Sequence, residues 1–359
     1  MKPRVLLVGR TRYALPLPES LQRRFNALRT ELDVRVLAPG TGGDDTFRLA
    51  RSLPLADGLA FYGSLPVRIA RELRSFRPDA VLAQSPYEGA AALAARRLAR
   101  VPARVVVDVH GDPATFTRLY GSPLRQALAP VGDRLARHAI RAADAVRTVS
   151  PFTTGVVRDL GVEPADTFPA FMDLDAFHGE ALPLPGEPSA VFVGALQRYK
   201  GIDVLLRAWE RVPVGTLHVV GDGPLRDEVA ARHAAGELQW SPHLRPPEVA
   251  GALDAAWCLV LPSRSEGMGR VIVEAFCRGR GVVGSRAGSI PDLVRDGESG
   301  LLVPPEDEGA LAEALTRLLS DREVAERLAA AAHASAAAWT QSPEEWAART
   351  RALVERVLG

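Results

Sequence analysis

At 359 residues the chain is too long for one ordinary core, so two domains of about 180 residues each are expected. A composition 47% hydrophobic and 24% charged is that of a soluble globular protein. No segment reaches the roughly 20 apolar residues of a membrane span and MKPRVLLVGRTR lacks the cleavage site of a secretory signal, which together predict a cytoplasmic location. The net charge of +1 conceals +6 on residues 1–180 (25 Lys+Arg, 19 Asp+Glu) and −5 on the remainder (19 and 24).

Short β-rich runs alternate with amphipathic stretches, the pattern of parallel sheets flanked by helices. In the first half, strands are expected at 4–9, 33–38, 79–84, 104–109 and 145–150. The first opens into VGRTRYALPLP, where Arg10 and Arg12 offer charge to a bound anion. Segment 40–58 is rich in turn residues and reads as a mobile loop. Arginines then recur at helical spacing, as Arg68, Arg71 and Arg74, as Arg96, Arg97 and Arg100, and as Arg134, Arg137 and Arg141. Such faces are either ordinary solvated surfaces or docking sites for an anionic membrane or an acidic acceptor. The lack of interleaved exposed aromatics argues against nucleic acid. After strand 104–109, VVVDVHGDP sets His110 just past a buried strand end, with Asp112 and Arg118 close behind. A lone histidine there serves either as a structural hydrogen-bonder or in a site.

The proline-rich ALPLPGEPS at 181–189 marks the domain boundary, and strands are expected beyond it at 189–194, 216–221, 257–262 and 281–285. The first of these runs into GALQRYKGIDVLLRAW, a glycine turn that carries Arg198 and Lys200 into a helix and reads as a diphosphate cradle. Of 44 basic residues only Lys2 and Lys200 are lysines, and a compact ammonium suits a point contact with phosphate oxygen. Gly221-Asp222-Gly223-Pro224 forms a second glycine turn. Cys258 and Cys277 both sit in apolar runs, which points to buried thiols rather than a disulfide or metal site. The last amphipathic stretch, 343–358, follows a break at Trp339-Thr340.

The densest block begins at Ser263: SRSEGMGRVIVEAFCRGRGVVGSRAGSIPDLVRDGESGLLVPP. Gly267 and Gly269 let the backbone approach a ligand, and Val271 to Phe276 reads as a buried helix whose free N–H groups attract phosphate. Along a mostly helical path Glu266 and Glu274 would lie roughly 12 Å apart on a similar side. Glu274 falls inside an apolar run and requires a partner. The pair is either an ion-paired solvated face or a site in which one carboxylate holds a sugar ring and the other a ribose.

Through S-x-x-E-G-x-G, E-A, G-x-x-V, G-S-I-P-D-L-V and D-G-x-x-G-L-L-V-P-P the segment resembles the Glu-x7-Glu block of the family-4 retaining glycosyltransferases. The resemblance implies an α/β GT-B fold, two Rossmann-like domains facing each other across a deep cleft. Residues 1–180 would form the acceptor-side domain, 189–338 the nucleotide-sugar-binding domain, and 339–359 a helix crossing back to the first. It also implies catalytic roles for His110, Glu266 and Lys200, with Glu266 beside the donor sugar and Glu274 on the ribose. Arg198 and Lys200 would meet the diphosphate, Gly267, Met268, Gly269 and Val271 the sugar and phosphate, and Gln239 and Trp240 the nucleobase. Arg10, Arg12 and Asp112 fall on the acceptor side. Where the family writes G-R-L-x-x-x-K-G this chain has Gly194-Ala195-Leu196, and Arg198 is the nearest replacement charge.

The implied activity is retaining transfer of a sugar from a nucleoside diphosphate sugar to a hydroxyl acceptor, whether glycan, lipid-linked or small molecule. It calls for no cofactor, no metal and no nucleic acid, with peripheral contact at the anionic inner membrane face. The alternatives are a sugar phosphorylase or nucleotide-sugar epimerase on the same fold, or a non-catalytic nucleotide-binding subunit.

Overall fold

A computed structural model describes residues 1–50, 57–115 and 123–359, with side chains left aside at 57–60, 123–126 and 128. Arg118 lies outside the described residues. The chain divides into two compact units, Met1–Phe171 together with Gln341–Gly359, and Met172–Thr340.

The proline-rich stretch 181–189, expected to separate the halves, belongs to the second unit. Prolines surrender backbone donors and leave bare carbonyls, which basic side chains of this unit collect. Fully buried Arg280 donates to the carbonyls of Leu182 at 2.8 Å and Pro183 at 3.4 Å. Arg322 reaches Leu184 at 2.8 Å and Pro185 at 3.0 Å, and the Trp257 indole also reaches Pro185 at 2.9 Å.

The first unit carries β1 (Arg4–Val8), β2 (Tyr13–Ala14), β3 (Asp33–Thr41), β4 (Phe47–Ala50), β5 (Ala80–Ala83), β6 (Arg104–Val109), β7 (Ala145–Thr148) and β8 (Asp166–Thr167). Their order is β2-β3-β1-β5-β6-β7-β8, with β4 also on β3, and every pairing is parallel. Central strands of such a sheet are covered on both faces, which is why they read as unbroken apolar runs. On one face Leu6 and Val8 pack with Leu65 and Ile69 of helix Asp57–Ser75, Ala92 of helix Pro86–Ala99 and Ile140 of helix Pro123–Ala142. On the other, Val5 and Leu7 meet Phe25 and Leu28 of helix Glu19–Glu31 and Trp346 and Leu353 of the C-terminal helix Pro343–Leu358. The turn-rich segment 40–58 contains strand β4, and its residues 51–56 lie outside the described residues.

The second unit holds β9 (Ser189–Val193), β10 (Thr216–Val220), β11 (Gln239–Ser241), β12 (Cys258–Leu261), β13 (Gly281–Ser285) and β14 (Gly300–Val303), in the all-parallel order β11-β10-β9-β12-β13-β14. Both cysteines are free and buried, and burial pushes the Cys258 thiol up to about 12. Among the described residues no helix is long and apolar enough to cross a membrane.

Candidate active site

In a parallel sheet, ligand sites lie past the carboxyl ends of the strands. Past β9 the chain turns at Gly194, forms a single 3-10 turn over Arg198–Lys200 and enters helix Ile202–Trp209. Gly201 closes that turn at φ +70°, and a Cβ there would stand 1.9 Å from the Pro262 carbonyl oxygen. Only glycine allows the β9 turn to lie this close to the loop after β12.

Arg264 locks the two loops together. Its backbone N–H donates to the Tyr199 carbonyl at 2.7 Å, and its guanidinium donates to the Arg198 carbonyl. The same guanidinium grips Asp203 bidentately at 2.8 and 3.0 Å and reaches Glu306 at 2.9 Å.

This clamp presents Lys200 to Glu266: the Lys200 ammonium donates to Glu266 Oε1, which also accepts from Ser263 Oγ at 3.1 Å. Both side chains are largely buried, 16% and 10% exposed. The backbone of Glu266 is fixed by Ser289, whose N–H donates to its carbonyl at 2.9 Å, and by Gly288, where a Cβ would fall 2.1 Å from that same oxygen. Ser285 Oγ donates to the Ser263 carbonyl and ties the end of β13 to the loop.

Helix Arg270–Cys277 starts behind an N-cap glycine, Gly269, in the left-handed region at φ +56°. The path from Glu266 to Glu274 is therefore loop as far as Gly269 and helix only afterwards, unlike the mostly helical path that the spacing suggests. Met268 and Val271 are buried, and Glu274 sits one turn along the helix with Arg270 at 3.9 Å. Burial pushes the Glu274 carboxyl above its ordinary range, while the charges of Arg270 and Lys200 pull it back. Lys200 thus acts on both glutamates. Arg198 is exposed and makes no ion pair among the described residues.

A second close approach shapes the same end of the sheet. A Cβ on Gly221 would lie 1.9 Å from the Gly194 carbonyl oxygen, and the Trp240 indole donates to the Gly221 carbonyl at 2.9 Å. Gln239 is exposed on the edge strand β11.

The remaining expected residues belong to the first unit. His110 is 40% exposed just past β6, its Nε2 3.7 Å from Asp108 Oδ2. Asp108 pairs with buried Arg147 at 2.8 Å. Burial opposes its charge, yet the Arg147 guanidinium and the His110 ring hold the Asp108 carboxyl below the usual carboxylate range. Arg147 also donates to the Phe168 and Pro169 carbonyls, at 3.3 Å each. Asp112, expected on the acceptor side, is engaged locally: its carboxylate accepts from the Ala114 N–H at 3.0 Å and the Thr115 N–H at 3.3 Å, capping the turn that follows. Arg10 lies over the Tyr62 ring at 5.5 Å, with Tyr62 donating to buried Glu88 at 3.0 Å, and Arg12 is exposed.

The fold therefore gathers Lys200, Glu266 and Glu274 into one cluster and sets Arg198 on the same turn. It adds Arg264 and Asp203, which the motif does not single out, and bonds Ser263, the first residue of S-x-x-E, to Glu266. The signal for Arg264 is its place two residues before Glu266 in SRSEG.

Residues 22–175 match the family description Glycosyltransferase Family 4, and residues 187–321 match Glycosyl transferases group 1. The chain belongs to the family-4 GT-B glycosyltransferases. A D-inositol 3-phosphate glycosyltransferase of Nocardia farcinica is 36% identical over 45% of this chain and 39% of its own. A sulfoquinovosyl transferase of Arabidopsis thaliana is 28% identical over 75% of this chain and 55% of its own. The matched segments span roughly half the length of these curated relatives. Among solved structures, sucrose-phosphate synthase from Thermosynechococcus elongatus superposes with TM-score 0.80 at 20% identity, covering 99% of each chain. HepE of Anabaena, solved in complex with UDP and glucose, gives TM-score 0.72 at 18% identity over 97% of this chain and 99% of that one. These likenesses establish the GT-B fold, two parallel-sheet α/β domains, for this family member.

Proposed function

We propose that this family-4 member transfers a sugar, with retention, from a nucleoside diphosphate sugar to a hydroxyl acceptor. The observation that carries the reading is Lys200, paired with Glu266 in the loop that leads into helix Arg270–Cys277 and close enough for its charge to act on Glu274. A nucleoside diphosphate sugar offers matching groups: hydroxyls for Glu266, ribose hydroxyls for Glu274, and a diphosphate for Lys200, Arg198 and the helix start. HepE, solved with UDP and glucose and with UDP-glucose, supports a uridine diphosphate donor.

In this reading the bond from the sugar's anomeric carbon to the diphosphate breaks as Lys200 and Arg198 offset the charge gathering on the leaving oxygen. The acceptor hydroxyl attacks from the same face through a short-lived oxocarbenium-like ion pair, and its proton passes to the departing phosphate. The cations of the chain do this without a metal. Glu266 orients the sugar, and the family resemblance assigns His110 to the same sugar. A cytoplasmic location with peripheral membrane contact belongs to this reading.

Calorimetric titration with UDP, GDP, ADP and their sugars tests it. Binding of one of them, weakened by Lys200→Ala, is expected, and no binding by any would sink the proposal.

A further inference from the structure

Helices Asp57–Ser75, Pro86–Ala99 and Pro123–Ala142 pack side by side over one face of the first unit's sheet. Their acidic side chains all point inward among the described residues: Glu72, Glu88 and Asp133 are each buried. Glu72 is neutralised by Arg35 at 2.7 Å, and Glu88 accepts from Tyr62 at 3.0 Å. The outward positions carry arginine, namely Arg71, Arg74, Arg97, Arg134, Arg137 and Arg141. Arg68 donates to the Arg48 carbonyl at 3.1 Å and Arg96 pairs with Asp144, while Arg74, Arg137 and Arg141 each give one N–H to a carbonyl, of Leu98 at 2.9 Å, Asp133 at 3.2 Å and Leu160 at 3.0 Å, and stay exposed.

Ordinary solvated surfaces mix both signs of charge. Among the described side chains this one does not, and it also carries apolar groups. Of the seven exposed large hydrophobic side chains among the described residues, Val67, Leu98, Val131 and Leu135 lie on these three helices. They lie beside the arginines: Val67 precedes Arg71 by four residues, Arg74 donates to the Leu98 carbonyl at 2.9 Å, and Val131 precedes Arg134 by three residues and Leu135 by four.

We infer that the outer face of these three helices docks this chain on an anionic lipid bilayer, guanidinium groups on the lipid phosphates and the four aliphatic side chains among the acyl-chain ends. Charge complementarity singles out a negative partner, and guanidinium matches phosphate with paired donors. The aliphatic side chains distinguish a bilayer from a purely polar polyanion, because water-exposed leucine and valine gain only from an apolar medium. Among the described residues no aromatic side chain is an exposed large hydrophobic, so they offer the bases of a nucleic acid no stacking platform. The inference rests on the peripheral location proposed above and is independent of the sugar-transfer chemistry.

Flotation of the full chain with vesicles tests it, using equal parts of phosphatidylglycerol and phosphatidylcholine against phosphatidylcholine alone. Partition onto the anionic vesicles alone is expected, with a loss of about tenfold in the charge-neutral double variant Val131→Ser/Leu135→Ser and a comparable loss in Arg97→Glu/Arg134→Glu. All four positions are exposed, so melting curves should match wild type, and UDP binding should be unchanged. Equal partition onto both vesicle types would overturn the inference. So would an unaffected serine variant, or release of the bound chain by a single-stranded RNA homopolymer that the serine variant binds as well as wild type. UDP binding lost in every form would instead count against the proposed donor while leaving the vesicle result to stand.

Discussion

The Lys200 ammonium donates a hydrogen bond to Glu266 across 66 residues of sequence, joining the turn after β9 to the loop after β12. The pair is nearly buried, so neither partner has much water to fall back on. Lys200→Ala strands the Glu266 carboxylate with Ser263 alone and should cost about 1–3 kcal/mol of stability. Transfer activity should drop by about two orders of magnitude or more, as for loss of a group that meets developing charge. Lys200→Arg should fail to restore it, because a planar guanidinium does not reproduce the compact ammonium's contact with Glu266. Denaturant melts and initial-rate assays with a donor panel check both effects.

Glu274 has the opposite relation to stability. Burial raises its carboxyl pKa, so the folded chain holds that proton more tightly than the unfolded one. The protonated form is the stable one: this contribution is full below the unfolded carboxyl's pKa, falls as pH rises toward the folded value, and is absent above it. Glu274→Gln should therefore melt higher than wild type at about pH 8, with the gap closing on acidification. Donor affinity should fall in the same variant. Paired melts across pH, with calorimetry at one pH, decide the matter, and an unchanged gap would refute it.

Arg264 touches Asp203, Glu306 and the Arg198 carbonyl and lies in the loop that carries Glu266. Arg264→Ala leaves buried Asp203 without its bidentate partner, a loss of about 2–4 kcal/mol. Because the turn bearing Lys200 loses its anchor, donor affinity should weaken as well. Arg264→Lys should recover part of the stability and little of the affinity, since one ammonium cannot span all three acceptors.

Gly288 and Gly297 both have positive φ, +57° and +74°, but differ in what surrounds them. A Cβ on Gly288 would strike the Glu266 backbone at 2.1 Å, whereas nothing lies within 4 Å of one on Gly297. Gly297→Ala should cost about 1 kcal/mol from the left-handed backbone alone. Gly288→Ala should cost well beyond that and displace Glu266, so that activity falls more than stability. Similar behaviour of the two variants in melts and rates would show that the contact does not matter.

Asp108 tests the first unit. Its pKa is held low chiefly by Arg147 against the cost of burial, so its contribution is present above the unfolded carboxyl's pKa and is lost as pH falls through the lower folded value. Asp108→Asn leaves Arg147 buried and uncompensated, at a cost of about 3–5 kcal/mol. His110→Ala, at an exposed position, should leave the melting temperature almost unchanged while lowering turnover.

Much of this was legible along the chain because it depends on local pattern. Apolar runs bounded by turn residues marked nine strands, and the glycines around Glu266 announced a tight turn before a buried helix. Short-range chemistry could carry that far because strand burial and left-handed turns are written in single residues and their neighbours. The short strands β2, β4, β8 and β14 escaped, since two to four residues on a sheet edge have no periodicity to read. What needed the folded chain was every relation between distant segments. Nothing in RYKG says that Lys200 meets Glu266, or that Arg264 is committed to Asp203 and a backbone carbonyl. Nor does ALPLPGEPS disclose that Arg280 and Arg322 draw it into the second unit. The inward turn of Glu72, Glu88 and Asp133, which leaves the described side chains of three helices showing only positive charge outward, is likewise a property of packing. Which side of a helix faces the sheet is settled by the core, and the core is assembled from residues far apart in sequence.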